Sequence, residues 1–559
     1  MPVPAGFGND IHWGGRFYQN ALDSGNDRSH SPMVTTLRVA QANPHPSFSK
    51  HDSERLCGWV FMGWVLVLLA FDLLTLRWFP VPWIDEVMFS DPAATLILHG
   101  HWASTAWYGR GDLTYWTGNV PAYSCLQVPW LWCFGVNAPA VRSLNCLLIA
   151  LTMVCAWFSV KRLNLIPSPK IRLATLAALS LCYPVSYCVR GGRPDVVGML
   201  IFSVSALFWS SPRKAVAGLG LFSCAMLIPF AGLQYAFYMP LLLGVLLWAG
   251  GKPALTRLYA IIGGGVFGAI LLWAYHQFFA GWDGLLASMA DVHGRRPAGL
   301  WANFRTLMDW LIFHYYLGRP HFILLIGASV LLGTAWKRLT RISRRDLLLA
   351  VVMLLASGVA VGIGSHFMAA YHWLAVAPAL ILLGSVAANS WEKLGPKTRL
   401  GGGLLLVGVA VTGRLAFVVM GGLQGNAAYT AAIEKAARPL VQPGEIVYGD
   451  WQLYYALKPR AGQIYFPYIL PKLTSAEKTS VSAAFLPAYQ KAGAEWLADT
   501  FGGHWTHTTD LPAPQAIPRF ALAGGFSPWY FFGSQLSAYH READLPKTAV
   551  QSDVQSPTR

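Results

Sequence analysis

The sequence predicts a mainly α-helical polytopic membrane protein, with about 11 transmembrane helices, interfacial helices in its first outer loop and a small α/β domain at its C-terminal end. Only 12% of the 559 residues are charged and 54% are hydrophobic, whereas about 25% of the residues of an ordinary soluble domain are charged. Apolar runs of membrane-spanning length recur along most of the chain. After residue 420 they give way to short alternating segments.

Eleven apolar runs each approach the roughly 20 residues that cross a hydrocarbon core of about 30 Å. The first, at 56–76, follows a polar segment and has no cleavage-site pattern after it, so it is predicted to be an anchor rather than a signal peptide. The others lie at about 138–160, 172–189, 196–211, 215–231, 234–250, 258–278, 320–336, 347–364, 371–390 and 402–420. Four regions follow: a disordered cytoplasmic tail (1–50), a transmembrane domain (51–420), an extracytoplasmic α/β domain (421–540) and a disordered tail (541–559).

The loop charges predict the orientation, because Lys and Arg accumulate in short cytoplasmic loops. Alternate loops carry sixteen such residues: Lys161, Arg162, Lys170, Arg172, Arg213, Lys214, Lys252, Arg257, Lys337, Arg338, Arg341, Arg344, Arg345, Lys393, Lys397 and Arg399. The opposite loops carry Arg but no Lys. We therefore expect a cytoplasmic N-terminus and an outer C-terminal domain in the inner (plasma) membrane. The net charge of +16 then mostly reports topology, and nucleic acid is not an expected partner.

Ionisable residues are almost absent from the interiors of the apolar runs. Asp72, near the outer end of the first run, and Arg414, in the last, are the exceptions. Ionisable residues within a membrane usually mark ion or proton pathways. Their scarcity argues against a coupled transporter, so any chemistry is expected at the outer membrane interface.

The first outer loop, 78–137, contains an adjacent pair of acids, Asp85 and Glu86, just after two proline residues. Half-apolar stretches at about 91–100 and 120–134 are predicted to form helices in the interface. Desolvation at the lipid boundary would raise the basicity of a carboxylate, which could then accept a proton from an attacking hydroxyl. The same acids would equally suit the N-terminal turn of the following helix.

A second candidate segment, 187–195, joins the third and fourth runs. It places Arg190 and Arg193 three residues apart around two glycines and ends at Asp195. Two guanidinium groups here could bind a phosphate held at headgroup depth, because each offers a planar fork of donors. Alternatively, both arginines could extend to lipid phosphates as topology anchors or pair with Asp195.

The C-terminal region reads as alternating strands and helices. The pattern predicts a strand and turn at 445–450, a helix at 451–457, a strand at 463–466 and further strands at 494–498 and 520–526. It contains no Gly-rich phosphate loop and no nucleophile elbow, so an acceptor-side or structural module is expected.

The spacing of His99 and His101 would suit a metal, but such a pair also fits two interfacial side chains, and no required metal or other cofactor is predicted.

In this order the motifs resemble those of the GT-C membrane glycosyltransferases, which include protein O-mannosyltransferases, aminoarabinose transferases of lipid A and lipopolysaccharide galacturonosyltransferases. The acidic pair follows the first span, the segment 121–135 leads to Arg142 at the mouth of the second, and the segment 366–378 precedes a late span. The resemblance covers residues 56–390 and is weaker at 215–345. In this segment Tyr371 and His372 precede Pro378 at the place where the resemblance leads us to expect an Arg.

The resemblance implies transfer of a sugar from a polyprenyl-phosphate-linked donor to a hydroxyl of an envelope lipid, lipopolysaccharide, glycan or protein on the outer face, with inversion. Asp85 would be the general base, and Glu86 would orient the acceptor or Asp85. Arg190 and Arg193 would neutralise the charge that develops on the departing phosphate. Further candidates for donor or cleft contacts are Arg142, Asp91, Asp195, His366 and Tyr371.

Two other classes of protein remain as alternatives. A transporter or flippase of lipid-linked saccharides would require charged residues along a path through the spans, which the sequence does not show. A non-catalytic scaffold that displays the C-terminal domain is the other alternative. It would not explain why the acidic pair and the two arginines lie on the same, outer face of the membrane.

Overall fold

A computed structural model of the chain describes residues 50–106, 118, 120–232, 235, 254–279, 282–283, 285–286, 319–364, 371–423, 425–467, 469–487, 493–514 and 535–541. All of these residues belong to one compact unit within Lys50–Arg559. The two predicted tails lie outside the described residues, apart from Lys50 and Arg541.

Helices dominate the described residues before the C-terminal region. They are α1 (Lys50–Leu74), α2 (Ile84–His99), α3 (Pro121–Phe134), α4 (Ala138–Arg162), α5 (Pro169–Leu181), α6 (Tyr183–Arg190), α7 (Asp195–Trp209), α8 (Lys214–Ala231), α9 (Ala254–Phe279), α10 (Pro320–Thr334), α11 (Arg341–Gly364), α12 (Trp373–Ser390), α13 (Pro396–Ala410) and α14 (Ala416–Leu423). A π-helical turn, Val411–Leu415, joins the last two.

The helices agree with a polytopic membrane protein. Six described segments are long and apolar enough to cross a membrane: His51–Leu74, Ala138–Arg162, Lys214–Ala231, Thr256–Phe279, Trp373–Lys393 and Pro396–Leu423. The bent pair α5 and α6 would make a seventh, and α7 and α10 are shorter apolar helices. The predicted fold class is confirmed. The run at 234–250 lies outside the described residues except for Tyr235, so the count of eleven stays a prediction.

The break between α5 and α6 orients the Arg-rich segment. Cys182 has an extended backbone, and Pro184 in the first turn of α6 has no N–H to donate to a continuous helix. The two helices are bent by 47° relative to each other. Helix α6 then ends at Arg190, and the chain turns through residues 191–194 before α7 begins at Asp195.

Helix α4 lies at the centre of the bundle, where it packs against α1, α3, α5, α6 and α7. Phe61 of α1 stacks on Trp157 of α4 with ring centroids 4.8 Å apart. On the outside of the bundle, large apolar side chains stay exposed, with Leu74 exposed at 81%. Such a surface is stable where hydrocarbon is the solvent.

The C-terminal region forms a five-stranded mixed sheet with helices. Its elements in chain order are α15 (Asn426–Ala437), β1 (Ile446–Tyr448), α16 (Tyr454–Leu457), β2 (Gln463–Tyr465), α17 (Ser475–Thr479), β3 (Ala483–Pro487), α18 (Gly493–Phe501), β4 (Trp505–Asp510) and β5 (Leu536–Arg541). The strand order is β2-β1-β3-β5-β4. β1 is parallel to β2 and β3, and β5 is antiparallel to β3 and β4.

The predicted elements at 445–450, 451–457 and 463–466 agree with β1, with the 3₁₀ turn Trp451–Leu453 that leads into α16, and with β2. The predicted strand at 494–498 is wrong, because this segment lies within helix α18. Gly493, Leu497 and Phe501 are buried at intervals of four residues, which is the period of a helix face. The segment 520–526 lies outside the described residues.

Helix α2 packs against the C-terminal region through a buried polar network centred on Asp91. The ammonium group of Lys458 lies 2.8 Å from the Asp91 carboxylate, and the Tyr454 hydroxyl donates to it at 2.6 Å. Ser104 donates to its other oxygen at 2.7 Å. Burial raises the pKa of Asp91, but Lys458 and these hydrogen bonds outweigh burial and hold the pKa below its usual value. Asp91 is therefore a buried anion that joins α2 to Tyr454 of α16 and to Lys458, the residue that follows this helix.

Lys458→Met should destabilise this contact strongly, because it leaves Asp91 as a buried charge without its cation. Removal of one partner of a buried pair costs about 3–5 kcal/mol. Lys435→Met, at an exposed position on α15, is the matched control and should leave the melting temperature in detergent nearly unchanged. The double variant Asp91→Asn/Lys458→Met should melt higher than Lys458→Met alone. Equal melting temperatures for Lys458→Met and the control would contradict the ion pair.

Candidate active site

The acidic pair lies in the first turn of α2. The helix begins after Trp83, whose backbone is extended and whose indole N–H donates to the carbonyl of Gly191 at 2.9 Å. Asp85 and Glu86 are both buried, with exposed fractions of 2% and 0%. A position in the first turn matches the interpretation of these acids as helix-end residues. However, each carboxylate is paired with an arginine from another element, which a helix end does not require.

Glu86 is held by Arg142 of α4. Two guanidinium nitrogens donate to the two carboxylate oxygens at 2.9 and 2.6 Å, and a third donates to the carbonyl of Leu76 at 2.7 Å. Burial raises the pKa of Glu86, and Arg142 opposes the rise. This fork-to-fork pair fixes the start of α2 against α4 and against the chain after α1. The predicted contacts of Glu86 with the acceptor and of Arg142 with the donor stay predictions.

Asp85 belongs to a second ion cluster, which we call the acidic cluster: Asp85, Arg193 and Asp195. The Arg193 guanidinium donates to Asp85, and its Nε donates to Asp195 at 2.8 Å. The other oxygen of Asp195 accepts a hydrogen bond from Tyr235 at 2.9 Å. With two carboxylates and one guanidinium, the cluster carries one excess negative charge.

Aromatic rings surround the Arg193 guanidinium. Its central carbon lies 5.4, 5.9 and 6.0 Å from the ring centroids of Phe89, Tyr187 and Tyr371, within the range of cation–π interactions. The structure thus brings together four of the residues predicted from sequence: Asp85, Arg193, Asp195 and Tyr371. His366 lies outside the described residues.

The environment of Asp85 favours uptake of a proton. Burial raises the pKa of Asp85 above its ordinary value, the charge of Arg193 opposes this rise, and the charge of Asp195 adds to it. The net direction is upward because a fully buried carboxylate loses its hydration. A carboxylate with these properties is suited to act as a general base.

The 191–193 segment is held in place from α4. The side-chain amide of Asn145 donates to the carbonyls of Cys188 and Arg193 at 3.0 Å each. Gly192 has a φ of +61°, and a Cβ there would lie 2.6 Å from Cγ of Glu86. Sequence reasoning missed Asn145; a polar amide within an apolar run was the available signal.

Arg190 lies in a different cluster, which we call the basic cluster: Asp72, Arg190 and Arg414. Arg190 donates to Asp72 at 2.8 Å and to the carbonyl of Thr75 at 2.8 Å, and Arg414 lies 3.0 Å from the second oxygen of Asp72. The two arginines predicted to bind one phosphate therefore lie in two neighbouring clusters. Tyr187 connects them, because it faces Arg193 and also lines a small cavity with Arg190 and Arg414.

Two other predicted features have less connection to these clusters. The hydrogen bonds and the ion pair of Asp91 given above are all to protein groups, so its place in a substrate cleft stays a prediction. His99 and His101 have ring centroids 6.1 Å apart. Within the described parts of the chain, no three His, Cys, Asp or Glu side chains form a group that could hold a metal. The expectation that no metal is required stays a prediction.

A mainly apolar cavity lies next to the acidic cluster rather than within it. It has a volume of about 380 Å³, with walls from α4, α5, α6, α7, α11 and α12. Of the predicted site residues that the structure describes, none lines it. Trp373 forms part of its wall, and the ring of Trp373 lies 6.0 Å from that of Tyr235, the hydrogen-bond donor to Asp195.

The described arrangement of helices has counterparts among solved structures. No family model matches the sequence, and no curated protein matches it. ArnT from Cupriavidus metallidurans bound to undecaprenyl phosphate matches with a TM-score of 0.52 at 14% identity, over 86% of this chain and 98% of ArnT. Its apo form matches with a TM-score of 0.52 at 16% identity, over 79% and 95%. This chain has the GT-C fold.

At 14–16% identity the likeness to ArnT establishes the GT-C fold and no more. The archaeal oligosaccharyltransferase AglB from Archaeoglobus fulgidus, in complex with an inhibitory peptide and a dolichol-phosphate, matches at 12% identity over 90% of this chain and 76% of AglB. Its TM-score of 0.41 is too low to compare sites. The fold that the GT-C resemblance implies is confirmed by the likeness to ArnT.

Gly192→Ala should destabilise the site far more than Gly100→Ala. Both glycines have positive φ, so both substitutions strain the backbone by about 1–2 kcal/mol. Only at Gly192 would the new Cβ also collide with a buried side chain, that of Glu86, whereas nothing lies within 4 Å at Gly100. Overpacking adds about 1–3 kcal/mol. Melting temperatures of the purified variants test this, and equal losses at the two positions would contradict the packing of residue 192 on Glu86.

Proposed function

We propose that the protein is a glycosyltransferase that moves a sugar from a polyprenyl-phosphate-linked donor to a hydroxyl acceptor on the outer face of the membrane. The observation that carries this proposal is the buried acidic cluster in a chain with the GT-C fold. In that cluster Asp85, whose pKa is raised by burial, lies against the guanidinium of Arg193, and Asp195 also accepts a hydrogen bond from this guanidinium.

Asp85 is the proposed general base. The acceptor hydroxyl attacks the anomeric carbon of the donor, its proton passes to Asp85, and the bond from that carbon to the phosphate oxygen breaks. The electron pair of this bond leaves with the lipid phosphate. Attack opposite to the leaving group inverts the anomeric configuration.

Asp195 is the proposed positioning residue for Arg193. In the described structure Arg193 bonds to both carboxylates, so Asp85 must release the guanidinium before it accepts a proton. Asp195 retains Arg193 during this exchange, and Tyr235 holds the other oxygen of Asp195. Arg193 is then available to the leaving phosphate, whose negative charge grows in the transition state.

A lipid donor fits the surroundings of the cluster. The apolar cavity beside Trp373 offers hydrocarbon contacts next to the acidic cluster. The likeness to ArnT, solved with undecaprenyl phosphate, supports a polyprenyl phosphate as the carrier. The basic loops support a site on the outer face of the inner membrane. An envelope lipid, lipopolysaccharide, glycan or protein is the proposed acceptor, and the C-terminal region lies next to α2, where it can contribute to the acceptor side.

Asp85→Asn should reduce sugar transfer by about 10²- to 10⁴-fold, because the amide cannot accept the hydroxyl proton. The assay follows label from the native lipid-linked donors into acceptor in isolated membranes, with protein levels matched. Glu54→Gln is the control: Glu54 also pairs with an arginine, Arg172, at 2.7 Å, but on the predicted cytoplasmic side and outside both clusters. Full activity of Asp85→Asn would contradict the assigned base, and equal losses in both variants would point to misfolding.

The pH dependence of transfer gives a separate prediction. Because only ionised Asp85 accepts a proton, activity should fall as pH falls through its pKa, which burial places above the ordinary aspartate value of 3.8. The acid limb of the pH–rate profile should therefore lie above pH 3.8. Melting temperatures over the same pH range separate titration from unfolding. A rate that stays constant down to pH 3.8 would contradict the raised pKa.

A further inference from the structure

Arg414 occupies an irregular turn in an otherwise apolar segment. The π-helical turn Val411–Leu415 separates α13 from α14, and Gly413 within it has non-helical angles of φ −108° and ψ −124°. A Cβ at Gly413 would collide with the backbone between Leu181 and Tyr183, so the turn packs directly on the break between α5 and α6. This packing brings Arg414 close to Arg190, at the end of α6.

Only part of the hydrogen-bonding capacity of the Arg414 guanidinium is satisfied by the described residues. Arg414 is 2% exposed, and one of its nitrogens pairs with Asp72 at 3.0 Å. Its Nε and its second terminal nitrogen have no hydrogen-bond partner among the described residues, and the same holds for Nε of Arg190. Buried donors are almost always paired in folded proteins, so an unpaired group calls for a missing acceptor.

The charges of the clusters point to the nature of this acceptor. The basic cluster has two guanidiniums and one carboxylate, an excess of one positive charge. The acidic cluster has an excess of one negative charge, and the pair of Glu86 and Arg142 is neutral. A buried charge without a counter-ion is strongly unfavourable. Within the basic cluster, one of the two guanidiniums therefore has no carboxylate of its own.

We propose that Arg414, together with Arg190, binds the phosphate of the lipid-linked donor. This inference rests on the function proposed above and adds a residue to it. A phosphodiester carries one negative charge, which matches the excess of the basic cluster. When the sugar leaves, the phosphate becomes a monoester with a charge of about −1.5 to −2. Contacts with Arg414 would then strengthen as the bond breaks.

The space around Arg414 sets a condition on this binding. Arg414 borders two small cavities, each of about 10 Å³, which is room for a single water molecule. A phosphate group can enter only if a neighbouring side chain moves. Phe79 and Phe417 line one of these cavities, and apolar residues of α1 and α4 line the other. Water that simply hydrates Arg414 is the competing occupant.

The test is binding of undecaprenyl phosphate to the purified full-length protein, followed by thermal stabilisation. Arg414→Gln should bind it roughly 10- to 100-fold more weakly than the wild type, the effect of losing hydrogen bonds to a charged group. Arg257→Gln is the matched control: Arg257 donates to the carbonyl of Ser211 on the predicted cytoplasmic side and should bind as the wild type does. Uncharged undecaprenol should bind all three proteins alike.

Arg414→Lys covers the case in which the Gln variant fails to fold. Its ammonium retains the charge that Asp72 requires but lacks the fork that could contact Asp72 and a phosphate together. Weaker binding than wild type is expected.

Wild-type affinity in a folded Arg414→Gln or Arg414→Lys variant would overturn the inference, leaving water as the occupant. Equal binding of phosphatidylglycerol and undecaprenyl phosphate, both lost in Arg414→Gln, would overturn the donor assignment in favour of a general anionic-lipid site. If wild-type protein does not bind undecaprenyl phosphate at all, the proposed function fails as well.

Discussion

The burial of opposite charges on a few helix ends is the constraint on which the site depends. The first turn of α2 places two carboxylates where water is excluded, and such groups are stable only with cations beside them. Arg142 of α4 and Arg193 of the 191–193 segment supply these cations. Because both arginines come from other elements, the ion pairs fix α2, α4 and the chain between α6 and α7 relative to one another. Geometry and charge at the site are thus determined together.

The charges are also divided unevenly in space. The acidic cluster contains the proposed base and one excess negative charge, whereas the basic cluster has one excess positive charge. Glycosyl transfer has the matching requirement, since a proton is taken up at one side of the anomeric carbon while negative charge grows on phosphate at the other. A preorganised separation of charge of this kind favours the transition state over the ground state.

The low content of charge explains which parts of the site could be predicted. In a chain that is 12% charged, Asp85, Glu86, Arg190 and Arg193 stand out, and hydropathy locates the helices around them. Apart from the pair of Arg193 with Asp195, which the sequence offers as an alternative, their partners did not follow from the sequence. Arg190 and Arg193 are three residues apart, yet the turn after α6 sends one to Asp72 and the other to Asp85. Lys458 meets Asp91 across more than 360 positions of the chain, a separation that no local pattern reports.

Other differences have local causes. The segment 494–498 resembles a strand over five positions, four of them apolar, but the burial of Gly493, Leu497 and Phe501 shows a helical period over a longer window. Arg414 looked like an isolated exception in an apolar run. The turn at Gly413 and the contact with Asp72 make it part of a cluster, and neither could be anticipated from spacing.

The most direct measurement of the central claim is a structure of the protein with undecaprenyl phosphate bound. The phosphate should lie against the guanidiniums of the basic cluster and of Arg193. Arg193 should also remain bonded to Asp195 and have left Asp85, whose carboxylate then faces the open side of the site. A phosphate bound elsewhere, with the pair of Asp85 and Arg193 intact, would contradict this claim.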